Sequence, residues 1–262
     1  MKRYLKIYRA LIKINFSSLL AHKANFINNI VSTMVWALFQ LVWVGLLTFR
    51  TKSAYGWSRQ ELILLAASYV FMIGFLHMFF TRNFDRLSQL IDRGGLDNLL
   101  IKPLDSQFIV SCWYINLTQI VRLILGSSII FYLINTMHLH VTIINAIGYA
   151  ILILSGVILM YSIWFLFSTS LIWFPRLTNI IDFLYMINGA ARFPPEMIRE
   201  SRNFVLLFLI PFTLTLAVPT RVLIQRVMYG DMTELIVLMF VLFIISRIFW
   251  KFALRSYTSA SS

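Results

Sequence analysis

From Ala24 to Phe49 the chain carries no lysine, arginine, aspartate or glutamate, and the same is true from Leu62 to Thr81. Roughly 20 apolar residues in helical form cross the ~30 Å hydrocarbon core of a bilayer, and each run matches that length. Leu123–Pro175 has no charge apart from two histidines and is about twice a span, so it must fold back on itself near Asn135–Thr142. A chain built this way is an all-α integral membrane protein, because helices satisfy their own backbone hydrogen bonds inside lipid.

Composition agrees independently. With 60% hydrophobic and only 13% charged residues, the chain could not cover a soluble globule with polar surface. The net charge of +13 then reflects positive residues held on the cytoplasmic side and anionic lipid headgroups, with no nucleic acid partner. A single cysteine, Cys112, excludes a disulfide framework within the chain and most thiolate metal sites, and reads as buried and inert.

The N-terminus is not a signal peptide, since Lys2, Lys6, Arg9, Lys13 and Lys23 interrupt any apolar core. The first four cations recur at steps of four, three and four, while Leu5, Tyr8, Ile12, Phe16 and Leu19 follow another face. That periodicity predicts an amphipathic interface helix over residues 1–23, at its clearest from Lys2 to Leu20, with Lys6, Arg9 and Lys13 toward headgroups. Residues 1 to 26 hold six bases and no acid, and Arg247, Lys251 and Arg255 follow at the other end, so both termini are expected in the cytoplasm. An even number of spans is required. Six are expected, at Ile27–Leu47, Leu62–Phe80, Ser111–Asn135, Ile143–Phe165, Leu171–Gly189 and Thr233–Phe252, in one transmembrane domain covering 1–262.

One apolar run is left over, Asn203–Thr220. A seventh span would place the basic tail outside, and Pro211 and Pro219 interrupt helix near its middle and end. The expectation is a re-entrant hairpin over 203–220 on the outer side, at a subunit interface or pore mouth. On the inner side the longest polar connection is 81–106. Phe80, Phe84, Leu87 and Ile91 continue a helical stripe with Arg82, Asp85, Arg86, Asp92 and Arg93 on other faces, until Gly94-Gly95 stops it. A short element follows, Leu96-Asp97-Asn98-Leu99-Leu100-Ile101-Lys102, and ends at Pro103. Four bases balance four acids here, so an exposed ridge of Leu96, Leu99 and Leu100 reads as a docking surface for a protein partner.

Catalytic chemistry, cofactors and metals are not indicated. There is no phosphate-binding Gly-x-x-x-x-Gly-Lys-Ser/Thr loop. Gly126-Ser127-Ser128 reads as close helix packing rather than a nucleophile site, and His77 lacks a second ligand at i+3 or i+4. Two charges stand within expected spans, Arg122 and Asp182, each about halfway along. Either costs on the order of 3 kcal/mol facing lipid, so a pair is the economical arrangement, as a polar patch on a path or as a structural ion pair. A secondary transporter or channel, which would hold more intramembrane charges and often internal repeats, and a non-transporting structural subunit are the other readings.

Gly56-Trp57-Ser58, then Phe79-Phe80 and Asn83, then Gly95-Leu96-Asp97-Asn98-Leu99-Leu100-Ile101-Lys102-Pro103-Leu104 give the chain its strongest resemblance. It resembles the permease subunits of ABC-2 type ATP-binding cassette exporters, in the branch of about 260 residues with a Gly-x-Leu-Asp-x-Leu-Leu-x-Lys-Pro-Leu loop. Where members of that family often carry Tyr-Pro, this chain has Phe193-Pro194-Pro195. The resemblance implies a bacterial inner-membrane exporter subunit with no ATPase activity of its own. Its implied partners are separate ATP-binding cassette ATPase subunits, a second permease subunit, identical or related, and membrane lipids. It also implies that Asp85–Lys102 is the ATPase-coupling segment, through Asp85, Arg86, Asp92, Arg93, Leu96, Asp97, Leu99, Leu100 and Lys102, and that the broken helices around Pro211 and Pro219 line the outer exit.

Overall fold

A computed structural model describes residues 2–21, 23–50, 53–175, 177, 179–200 and 208–257. Among these, five helices are long and apolar enough to cross a membrane: Lys23–Leu47, Arg59–Asp92, Leu117–Thr136, Ile143–Ser170 and Tyr229–Ser256. The N-terminal helix α1 is Lys2–Ala21 and leads into α2, Lys23–Leu47. A two-stranded hairpin, β1 (Ser53–Ala54) and β2 (Trp57–Ser58), turns the chain through Tyr55 and Gly56, both in the left-handed region. Ser58 then caps α3, Arg59–Leu76. Its hydroxyl accepts from the Glu61 amide at 3.3 Å while the Glu61 carboxylate accepts from the Ser58 amide at 2.7 Å, a capping box that starts the helix sharply.

Beyond α3 one π-helical turn, His77–Thr81, passes without a break into α4, Arg82–Asp92. The rod from Arg59 to Asp92 has 34 residues. At 1.5 Å per residue it is about 50 Å long, well beyond the hydrocarbon thickness. Gly94 ends it at φ +67°, with Gly95 N–H donating to Leu90 C=O at 2.8 Å and Gly94 N–H to Ile91 C=O at 3.3 Å. This pair of bonds satisfies the last carbonyls as a Schellman stop, as Gly94-Gly95 predicted.

Two short helices, α5 (Asp97–Leu100) and α6 (Ser106–Ser111), precede α7, Ile120–Thr136, and α8, Ile143–Ser170. The helix α9, Ile180–Asn188, continues as a 3-10 turn through Arg192, and α10 is Pro195–Glu200. The last two are α11, Ile210–Leu223, and α12, Tyr229–Ser256.

The core is a helix bundle in which glycines set the closest approaches. A Cβ on Gly126 of α7 would stand 2.8 Å from the Phe71 amide nitrogen and 2.9 Å from its Cα, and one on Gly74 of α3 would stand 2.9 Å from Arg122 Cβ. Gly126 thus brings α7 backbone against α3 backbone, while Ser127 and Ser128 are exposed. Gly156 of α8 does the same for α11, where a Cβ would lie 2.9 Å from the Thr215 carbonyl oxygen. Pro219 has no N–H to offer that carbonyl four residues earlier, so the glycine admits the backbone oxygen that the proline frees.

Three expected boundaries change. Leu171–Gly189 is not one span-length helix: turns through Leu171–Phe174 lead to the nine-residue α9. The third span begins at Leu117 and not Ser111, because the chain breaks after α6 and restarts with a 3-10 turn. Pro211 opens α11 instead of breaking it, and Pro219 is carried inside it. Positions 203–207 of the expected hairpin lie outside the described residues.

Candidate functional site

At one end of the bundle the segment 81–116 is seated in the fold rather than hung from it. Two carbonyls of the π turn itself take hydrogen bonds from outside the helix ladder, one from the returning chain and one from a side chain of α4. Asn116 N–H donates to Met78 C=O at 2.8 Å, and Asn83 Nδ2 donates to Phe79 C=O at 2.8 Å and Tyr114 C=O at 2.9 Å. Asn83 Oδ1 accepts from Tyr114 N–H at 2.8 Å, so one amide side chain closes the junction in three directions. Below it Phe84 packs among Tyr161, Trp164 and Phe165 of α8, and Trp164 Nε1 donates to Asn188 Oδ1 at 3.1 Å.

The final helix grips the same segment. Asp105 caps α6 by accepting from Phe108 N–H at 2.9 Å, and Arg247 of α12 donates to its carboxylate through Nη1 at 2.8 Å and through Nη2. Arg247 also reaches Gln107 Oε1 at 3.0 Å, and Trp250 Nε1 donates to Ser106 Oγ at 2.9 Å. The Arg247 guanidinium holds the Asp105 carboxyl below the usual carboxylate range. Burial pushes the Cys112 thiol up to about 11, so it stays protonated. Helix α1 lies alongside, with Asp105 N–H donating to Tyr4 Oη at 3.2 Å and Asn15 Nδ2 to Trp113 C=O at 3.1 Å.

The coupling residues named from the sequence divide in two. Asp92 and Arg93 are exposed at the end of the rod, and Ile101, which sequence reasoning passed over, is 81% exposed. Leu96 and Leu99 are instead buried, at 0% and 3%, and Leu100 is half-buried. The expected exposed leucine ridge is therefore corrected: Leu96 and Leu99 join the hydrophobic core with Leu100 packed against it, and α5 seats against α6, which anchors the segment and leaves Ile101 outside. Asp85 accepts from Tyr185 Oη at 3.4 Å, and Arg86 and Lys102 lie on the Trp113 ring with centroid distances of 4.2 and 4.3 Å. Lys6, Arg9 and Lys13 of α1 are exposed, as are Leu5, Ile12 and Phe16.

Arg122 and Asp182 do not pair. Because its span begins at Leu117, Arg122 sits near one end of that helix, buried, with Nε unbonded, while Asp182 is exposed in the first turn of α9.

The opposite end holds a charge network that the sequence reading missed. Arg221, with 5% of its side chain exposed, sits in the last turn of α11 and bridges Glu196 of α10 and Asp231 of α12. Asp231 also accepts from Arg199 at 3.2 Å, and Arg199 reaches Glu234 at 3.4 Å. Trp57 Nε1 donates to Glu196 at 3.3 Å under the Arg221 guanidinium. Arg226 binds Glu61 at 3.1 Å and Gly56 C=O at 3.1 Å, and Gln225 donates to His140 C=O at 2.7 Å. The β hairpin, the α7–α8 turn, α10 and the C-terminus of α11 thus meet at one end. A cavity of about 340 Å³ opens there between Trp57, Glu196, Arg221 and Arg226. The available signal was the set of charges bracketing otherwise apolar helices.

Residues 34–261 match the model of the ABC-2 family transporter proteins. The chain belongs to this family. No curated protein and no solved structure matches it. Membership fits the multi-pass helical fold, and an ABC-2 permease is the membrane component of an ATP-binding cassette transporter, which it serves in association with an ATP-binding subunit.

Proposed function

We propose that this chain is the permease subunit of an ATP-driven exporter in a bacterial inner membrane, with both termini cytoplasmic and hydrolysis on separate ATP-binding cassette subunits. Two permease subunits, identical or related, form the path between them. The end holding α1, the 81–116 segment and Arg247 is the cytoplasmic one. Five long helices and the broken 171–200 stretch make six crossings of one transmembrane domain. The 203–220 stretch is re-entrant, since α10 on one side of it and Arg221 at the end of α11 meet at the same outer network.

The observation that carries the reading is the 34-residue rod, capped by Ser58 at one end and stopped by Gly94 at the other. A ligand shifts a two-state equilibrium only by its differential affinity, so closure of an ATPase dimer needs a stiff element to act through. In Asp85–Lys102 the buried Leu96 and Leu99 fix the foot of the rod, and Asp92, Arg93 and Ile101 offer it to the partner. Arg93→Glu and Ile101→Asp are surface changes, expected within about 0.5 kcal/mol of wild-type stability. Together they should abolish ATPase stimulation and co-purification of the ATP-binding subunit while the permease still inserts. A double variant that stimulates its partner at wild-type levels places coupling elsewhere. Cysteines at Lys6 and at Ser259, in a background lacking Cys112, should react only with membrane-permeant reagents.

A further inference from the structure

We infer that Arg82, Arg86 and Lys102, stacked against Tyr114 and Trp113, form a binding site for the phosphate of an anionic phospholipid in the leaflet at the loop end. The side chains alternate as a ladder. Arg82 Cζ lies 4.7 Å from the Tyr114 ring centroid, Arg86 Cζ 5.5 Å from the same ring and 4.2 Å from Trp113, and Lys102 Nζ 4.3 Å from Trp113. Trp113 thus gathers Arg86 and Lys102 at one indole, with Arg82 at the adjoining Tyr114, so three cations are collected around two neighbouring rings.

Three features point to an anion. Among the described residues none of the three cations forms an ion pair. Arg86 Nη1 is buried with no hydrogen-bond partner, an expensive condition for a guanidinium N–H. Asp85 attracts Arg82 across space, but its hydrogen bond is from Tyr185. Stacking on the rings holds the cations apart and fixes their direction, and it leaves donors free, because a ring face satisfies charge without accepting N–H bonds in the plane of the fork.

Depth selects a lipid over a soluble anion. Asn15 of α1 donates to the Trp113 carbonyl, and one face of α1 exposes Leu5 at 55%, Ile12 at 37% and Phe16 at 52%. A helix with that face lies at the boundary of headgroups and acyl chains, so Trp113 and Tyr114 sit at headgroup level, where such rings collect and where anionic lipids concentrate. The inference rests on the loop end lying at a bilayer surface, and needs neither ATP coupling nor a transported substrate.

The test uses the full chain, delipidated in detergent and titrated with palmitoyl-oleoyl phosphatidylglycerol or phosphatidylcholine under native mass spectrometry. Wild type should prefer phosphatidylglycerol, and Arg86→Gln with Lys102→Gln should lower that preference about tenfold with phosphatidylcholine binding unchanged. Trp113→Phe keeps a ring and should retain it. Lys6→Gln with Lys13→Gln, which removes charge from α1 alone, should leave most of it. The single change Lys102→Gln carries the test, with about a threefold loss expected, should the double variant not fold. An unchanged preference in the Arg86/Lys102 variants overturns the site, as does an equal loss in the α1 variant. Retained lipid preference with loss of the co-purifying ATP-binding subunit would assign the ladder to an acidic protein surface instead. Loss of stimulation in the Arg93/Ile101 variant with lipid preference intact separates failure of coupling from failure of this site.

Discussion

Gly126→Ala tests the helix contact on which the rest of the bundle is built. The added methyl would meet Phe71 Cβ and amide nitrogen at 2.8 Å and Phe71 Cα at 2.9 Å, distances that real Cβ atoms do not tolerate. Because two of the three atoms are backbone, no rotamer change relieves the clash, and α7 must move off α3. One methyl forced into a packed interface costs about 1–3 kcal/mol. At 1.4 kcal/mol per factor of ten, the folded population should fall relative to unfolded by roughly 5- to 150-fold. The assay is the thermal midpoint in detergent, followed by fluorescence, against Gly45→Ala, where nothing lies within 4 Å of the new methyl, as the matched control. Adding Phe71→Ala should not rescue Gly126→Ala, since truncation leaves the same backbone atoms in place. Equal midpoints for the two glycine variants, or rescue by Phe71→Ala, would refute the backbone-to-backbone contact.

Three further outcomes are expected. Arg221→Met strands Glu196 and Asp231 at a site where the arginine side chain is 5% exposed, and should cost about 3–5 kcal/mol, read as a lowered midpoint that Glu196→Gln partly restores. Asn83→Leu removes the bonds to Phe79 C=O, Tyr114 C=O and Tyr114 N–H. With buried groups left unpaired at about 1–3 kcal/mol each, proteolysis within 81–116 should accelerate while the spans stay protected. Asp105 has its pKa lowered on folding, so its contribution is complete above the unfolded value near 3.9 and is lost as pH falls through the lower folded value. The stability gap between wild type and Asp105→Asn should therefore be constant from about pH 5 upward and close below about pH 4. A gap that widens in acid contradicts the Arg247 pairing.

Uniform apolarity made the long helices legible, because a run such as Leu62–Thr81 has few alternatives inside lipid. The Gly94-Gly95 stop was legible for a local reason, the left-handed residue that a Schellman motif requires. Depth was not. The shift of the third span from Ser111 to Leu117 follows from the capture of the π turn by Asn83 and Asn116, a tertiary event with no glycine or proline to mark it. That shift moved Arg122 toward a helix end and dissolved its expected pair with Asp182. Burial of Leu96 and Leu99 was hidden for a different reason, since α5 is too short for periodicity to say which side faces the chain. The ladder of cations and rings left a trace that could have been read, Arg82 and Arg86 one turn apart with an adjacent Trp113-Tyr114 pair further on. The Arg221 network left less, because Glu61, Glu196, Arg221 and Asp231 come together only through topology.

The π turn at His77–Thr81 has a consequence for how this chain can vary in length. An α-helix advances about 100° per residue, so one residue gained or lost within a continuous rod rotates everything beyond it by more than a quarter turn. Between Ser58 and Gly94 there is no loop to absorb such a change, and a single codon inserted just beyond Leu76 would swing Asp92 and Arg93 to another compass bearing while the residues of α3 kept their places. The π turn holds such an extra residue already in register, which makes it the phase setting of the rod.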